Sequence, residues 1–238
     1  MGHSHKHQVH LLRTLKGVVG MLRDPHHTES VFDIEDGLRD IEASELFARH
    51  ARSLSGVADL MDERYLAPAT NVDALHQLPD GSLGKTYAEH ITSHGFDADY
   101  FRKRPVETDV DYVQMRMRQT HDIWHVMTGF GVGSLGELGL KAFELAQTRR
   151  PMSAVITTGG VLRYMLKDPD QLEAMLQYVA YGYHLGSRAK PFLAQRWEEE
   201  WELPLDLWRE RVGFVAPEET PYELLPDPDR AAFEPVEG

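Results

Sequence analysis

Apolar residues recur along most of the chain at intervals of three and four, the period of one helix face, and nowhere alternate long enough to suggest a run of strands. Leu11, Leu12, Leu15, Val18, Val19 and Leu22, with Arg13, Lys16 and Arg23 between them, predict an amphipathic helix over residues 9–22. Core packing and a basic face lying on a bilayer surface both account for it. Residues 34–66 carry two further helical patterns, one around Leu38, Ile41, Leu46 and Phe47 and one around Leu54, Val57, Leu60 and Met61. Ser82 is placed to cap a helix bearing Leu83, Tyr87 and Ile91, and Gly95 to close it. Residues 97–107 lack periodicity and read as a loop; Thr108-x-x-Asp111 then caps a long helix running to Thr128. Further helices are expected over residues 138–147, from Pro151 to Leu166, from Pro169 to Leu185, from Arg188 through Trp201, and over 205–212. The pattern predicts an all-α fold, a single compact multi-helix domain.

One stretch of the long helix carries candidate chemistry. Met117, His121 and His125 follow one another at i+4, so both imidazoles sit on the inward face one turn apart and can point at a single cation. Asp122 lies about 100° round the helix from His121, able to bind from the edge of that face or to orient a ligand. Eleven residues separate His125 from Glu137, among them the three glycines of Gly129-Phe130-Gly131-Val132-Gly133, which suit a tight reversal. A second helix would thus return Glu137 to the histidines, placing a metal site between two helices. The plainer alternative is that the histidines are ordinary half-buried polar groups and that Ser134-x-x-Glu137 is a capping box.

Composition narrows the chemistry. The chain has no cysteine, so a metal must be held by imidazole and carboxylate; this puts zinc first as cofactor, with iron, manganese or magnesium as alternatives. A formal charge of −13 without a Lys/Arg block argues against nucleic acid as a partner. The histidine-studded residues 1–8 read as a mobile leader, 9–215 as the helical domain, and the proline- and acid-rich 216–238 as an extended tail. With neither a secretory signal nor a 20-residue apolar span, the expected location is bacterial-type: cytoplasmic, and peripheral to the inner membrane. Val155, Ile156, Val161, Leu162, Met165, Leu176, Val179 and Tyr183 exceed what one buried stripe needs. Core packing accounts for them, as does an apolar tunnel from the metal to the surface with Arg149, Arg150 or Arg163 near its mouth; the tunnel is the expectation.

His121-Asp122-x-x-His125, eleven residues and Glu137 resemble the signature of the coenzyme Q biosynthesis protein 4 family. Leu78-Pro79-Asp80-Gly81-Ser82-Leu83-Gly84-Lys85-x-Tyr87 is similar to a segment that precedes that signature in the family. Gly136-Glu137, Lys141, Phe143-Glu144, Gln147-Thr148 and Pro151-Met152 are similar to the helix that follows it. Gly186-Ser187-Arg188-Ala189-Lys190 and Arg196-Trp197-Glu198-Glu199-Glu200-Trp201-Glu202 resemble the terminal blocks, so the likeness covers about residues 72–214. The stretch between His125 and Glu137 is richer in glycine than the family's. The resemblance implies an all-helical fold, a metal site of His121, Asp122, His125 and Glu137, and a part in ubiquinone assembly. It further implies either metal-dependent (oxidative) decarboxylation at ring carbon 1 of a polyprenylated 4-hydroxybenzoate-type precursor, or a non-catalytic scaffold that binds prenyl lipid and organises other ubiquinone-biosynthesis enzymes. The partners implied are an isoprenoid lipid, those enzymes and a membrane surface; a homodimer is compatible with it. A zinc hydrolase is the weaker reading of His-Asp-x-x-His, because aspartate reaches a metal-bound water poorly in place of glutamate.

Overall fold

Helix follows helix through residues 16, 17, 20, 28–101 and 103–214, the residues described by this computed structural model, and a single isolated bridge, Ser82 to Pro204, is the only β pairing among them. The His-rich leader, most of the expected 9–22 helix and the acidic tail lie outside the described residues. The α-helices are α1 (Thr28–Leu38), α2 (Glu42–Ser53), α3 (Val57–Glu63), α4 (Val72–Leu75), α5 (Leu83–Ser93), α6 (Asp109–Thr128), α7 (Ser134–Thr148), α8 (Pro151–Lys167), α9 (Leu172–Arg188) and α10 (Leu205–Arg211). The fold is all-α, as the periodicity predicts.

Helix α6 is the axis of the domain. Thr108 accepts the backbone N–H of Asp111, and the Asp111 carboxylate accepts the Thr108 N–H at 2.9 Å, which satisfies two of the donors a helix start leaves over. Gly129, at φ 76°, ends the helix in a left-handed conformation that a side chain would strain. The helix is buried on nearly all sides, including Gln114, Arg116 and Arg118, so it is not the one-faced amphipathic element its pattern suggests. Beside it, Trp124, Phe143, Phe192, Trp197 and Trp208 form a chain of edge-on and tilted rings with centroids 4.7–5.8 Å apart. Each such contact adds about 0.5–1.5 kcal/mol beyond its burial.

Helices α7 and α9 approach closely because Gly182 and Gly186 of α9 leave room for the α7 backbone: a Cβ at Gly182 would lie 2.0 Å from the Gly139 carbonyl oxygen. This contact, with Phe143 and Leu185 buried alongside, holds α7 at a defined height beside α6.

Three expectations need correction. The residues from Arg188 to Trp201 do not form a helix: Arg188 ends α9, and only two short 3-10 turns follow, Phe192–Ala194 and Trp197–Glu199. Pro191 disfavours helix at the residue before it, and the backbone is bound from outside. Arg116 donates to the Gln195 carbonyl at 2.8 Å, and Gln147 both accepts the Phe192 N–H and donates to the Gly186 and Ala189 carbonyls. Leu46, assigned to a core face, is 52% exposed. Of the residues assigned to a tunnel, Leu162, Met165, Leu176 and Tyr183 face outward, and Leu166 beside them is 70% exposed.

The two distant blocks around residues 78–87 and 196–202 meet in space. Trp201 and Leu203 carbonyls accept the first N–H groups of α5, from Gly84 and Leu83, and the bare Cα of Gly84 permits the crossing, since a Cβ there would lie 2.5 Å from Leu78 and 3.0 Å from Trp201.

Candidate metal centre

The glycine-rich turn places α7 antiparallel to α6, with the stripe Glu137, Lys141 and Glu144, spaced i, i+4 and i+7, facing His121 and His125. Glu137 Oε1 lies 3.1 Å from His125 Nε2 and 3.8 Å from His121 Nε2. Asp122 offers a carboxylate oxygen within 4.8 Å of the ligand nitrogens of both histidines. His121, Asp122 and His125 thus form one group of potential ligands, and Glu137 approaches it from α7 through the two histidines. The capping alternative for Glu137 is not what forms: α7 begins at Ser134 with Gly133 as its N-cap and no side-chain cap.

Each histidine is anchored through its other nitrogen. His125 Nδ1 meets the Phe130 carbonyl at 2.9 Å, and His121 Nδ1 lies 3.3 Å from Glu144 Oε1. Both Nε2 atoms are thereby turned towards Glu137, an arrangement common to metal-binding histidines.

The electrostatics are those of charges removed from water. Burial and Lys141 pull the His121 imidazolium down, but hydrogen bonds to Glu137 and Glu144 outweigh them and raise its pKa to about 9. Burial pushes Glu137 up, yet the charges and hydrogen bonds of His125 and His121 hold it well below the usual carboxylate range. Glu144 is likewise kept ionised against burial by Lys141, His121 and Arg150. A divalent cation would take the place of that proton, and the donor set of two imidazoles and two carboxylates with no thiolate fits zinc, iron or manganese.

Sequence reasoning missed what surrounds the four. A cavity of about 500 Å³ opens on His121, Asp122 and Glu137; Phe32, Phe96, Phe101 and Met117 supply its apolar wall, and Arg118, Lys141 and Arg150 its basic one. It runs beneath α1 and the 95–101 loop rather than between α8 and α9. Arg150, expected at a tunnel mouth, is buried and pairs with Glu35 and Glu144, while Arg118 pairs with Glu35 and Asp36. His90 of α5 stacks on His125 with ring centroids 5.8 Å apart, and burial pushes its pKa down to about 3, so it stands there as a neutral ring. The i, i+4 pair His90 and His94 before Gly95 was the one signal in the sequence that could have pointed to it.

Comparison with known proteins gives these residues a context. Residues 53–218 match the model for "Coenzyme Q (ubiquinone) biosynthesis protein Coq4". The mitochondrial ubiquinone biosynthesis protein COQ4 of Yarrowia lipolytica is 32% identical over 157 residues, covering 65% of this chain and 59% of that one. The Xenopus laevis COQ4 homolog is 26% identical over 210 residues, 86% of this chain and 72% of the relative. The chain spans about half the length of the fungal relatives, 48% for Debaryomyces hansenii. A crystal structure of a proposed ubiquinone biosynthesis protein from Nostoc punctiforme PCC 73102 superposes with a TM-score of 0.76 at 34% identity, covering 84% of this chain and 96% of that one.

These relatives overturn the expected cytoplasmic, inner-membrane-peripheral location, since those of Yarrowia, Debaryomyces and Xenopus are all named mitochondrial. No helix among the described residues is long and apolar enough to cross a membrane. That observation does not report a compartment, because a targeting leader is read apart from the packed helices. On the extent of the family match and the agreement in fold, the chain belongs to the Coq4 family of coenzyme Q (ubiquinone) biosynthesis proteins.

Proposed function

We propose that this chain acts in ubiquinone biosynthesis as a metal-dependent carboxy-lyase, removing the carboxylate at ring carbon 1 of a polyprenylated 4-hydroxybenzoate-type precursor. The observation that carries the reading is the convergence of His121 Nε2 and His125 Nε2 on Glu137 Oε1 at the wall of a cavity of about 500 Å³. Family membership supports the pathway, and the donor set supports zinc first. When bound, a divalent cation supplies Lewis-acid stabilisation of negative charge on a carboxylate or phenolate oxygen. His121, His125 and Glu137 would hold it, with Asp122 completing the set. Phe32, Phe96 and Phe101 offer faces for an aromatic ring. In the net change the bond from ring carbon 1 to the carboxylate breaks, carbon dioxide leaves, and the electron pair left on the ring takes up one proton.

A second reading has its own observation. Leu162, Met165, Leu166, Leu176 and Tyr183 stand 47–70% exposed on α8 and α9, and apolar surface of this kind marks contact with lipid or protein. In that reading the metal is structural and the chain is a scaffold that binds prenyl lipid and gathers other ubiquinone-biosynthesis enzymes. Complementation of a strain lacking its own family member separates the two, comparing the intact chain with Glu137→Gln and following the carboxylated precursor by mass spectrometry. Accumulation of that precursor with partner complexes still assembled is expected from the lyase. Full restoration of ubiquinone by Glu137→Gln rejects it in favour of the scaffold.

A further inference from the structure

Glu144 lies about two turns beyond Glu137 on α7 and is 1% exposed. Its two oxygens are used differently. Oε2 accepts from Ser153 Oγ at 2.7 Å and from Arg150 at 3.4 Å, which fixes the carboxylate to α8. Oε1 accepts from Lys141 Nζ at 2.7 Å and faces His121 Nδ1 at 3.3 Å. A neutral imidazole carries one proton, and a carboxylate facing Nδ1 keeps it there, leaving the Nε2 lone pair for a cation. His125 has only a backbone carbonyl at its Nδ1, at 2.9 Å. The two rings are therefore anchored unequally, one by a charge and one by a dipole. Lys141 Nζ donates to Glu144 Oε1 at 2.7 Å and lies 3.5 Å from His121 Nδ1, so it holds Glu144 in place beside the ring.

Resting on the metal reading above, we propose that Glu144 is the positioning residue of the centre: it accepts the His121 Nδ1–H and sets the tautomer and ring angle that present Nε2 to a divalent cation beside Glu137. Lys141 and Ser153 hold Glu144 from its two ends. Loss of such an outer partner lowers metal affinity about 10–100-fold.

The test uses the full chain and zinc alone, titrated calorimetrically, with the His121→Ala/His125→Ala double variant measuring zinc taken up by the N-terminal histidines. Glu144→Gln is expected to weaken the site about 10–100-fold and to shift the visible absorption of the cobalt-substituted protein. Ser153→Ala removes a hydrogen bond to Glu144 without touching His121, and is expected to change affinity far less. Equal zinc affinity and an unchanged cobalt spectrum in Glu144→Gln overturn the positioning role while leaving the metal site standing. Zinc uptake by the wild type no greater than by the double histidine variant overturns the metal reading itself. A measurement on the wild type keeps the inference falsifiable should Glu144→Gln not fold: long-range proton–nitrogen NMR of the zinc-loaded, histidine-labelled protein. His121 is expected with Nδ1 protonated and Nε2 on the metal; coordination through Nδ1 overturns the inference.

Discussion

Replacing Gly182 by alanine tests whether the height of α7 beside α6 is set by the close approach of α9. The new Cβ would sit 2.0 Å from the Gly139 carbonyl oxygen and 2.8 Å from its carbon, both backbone atoms that no rotamer change can move aside. Ordinary contact begins at 3.4 Å, so the two helices must part by about 1.4 Å along that line. Inserting a methyl into a packed interface costs about 1–3 kcal/mol, and backbone on both sides puts this case at the upper end. Alanine regains about 1 kcal/mol of helix propensity over glycine, leaving a net loss of about 2 kcal/mol. For a domain of this size that lowers the melting temperature by about 4–8 °C. Because α7 carries Glu137 and Glu144, the same displacement moves both carboxylates relative to the histidines on α6 and is expected to weaken zinc binding as well. Urea unfolding and zinc titration of the same variant check both consequences. A Gly182→Ala protein as stable as the wild type, or more so, would mean that propensity wins and that the helices are not in contact as described.

Arg116 is 1% exposed and makes two hydrogen bonds to Glu198, at 2.6 and 2.9 Å; Arg116→Ala leaves that carboxylate buried without its partner and is expected to cost about 3–5 kcal/mol, read as a lowered urea midpoint. Asp111 supplies a pH signature: burial opposes its ionisation, but Arg39 and Thr108 lower its pKa from 3.8 to about 2. A carboxylate depressed on folding adds stability above its unfolded pKa and loses it as pH falls through the folded one, so the advantage over Asp111→Asn should be full above pH 4 and shrink towards pH 2. With Arg39 a third exposed to water its size is about 1–2 kcal/mol, and a difference in urea stability that stays constant over that pH range would contradict the assignment.

The elements that could be read from the sequence are those whose causes are local. Thr108 and Asp111 cap α6 through neighbours three residues apart, Gly129 ends it because its own φ is positive, and His121 and His125 share a face because four residues make about one turn. The same locality brought the four candidate ligands into view, since a glycine-rich reversal of known length fixes where Glu137 can return. What packing decided could not be read this way. Arg116 finds Glu198 at a separation of 82 residues and Arg118 finds Glu35 at 83, so no window of helical periodicity contains both partners. Residues 189–201 are rich in helix-forming side chains yet stay unwound, because Arg116 and Gln147 bind their backbone and Phe192 and Trp197 fill the aromatic core. The exposure of Leu162, Met165 and Leu176 and the lining of the cavity were likewise set by which helix stood opposite. Glu144 shows the division most plainly: its spacing from Glu137 put it on the right stripe of α7, but only the approach of α6 gave it His121 as a neighbour. Local sequence determines each helix and its faces; which faces meet depends on burial summed over the whole chain.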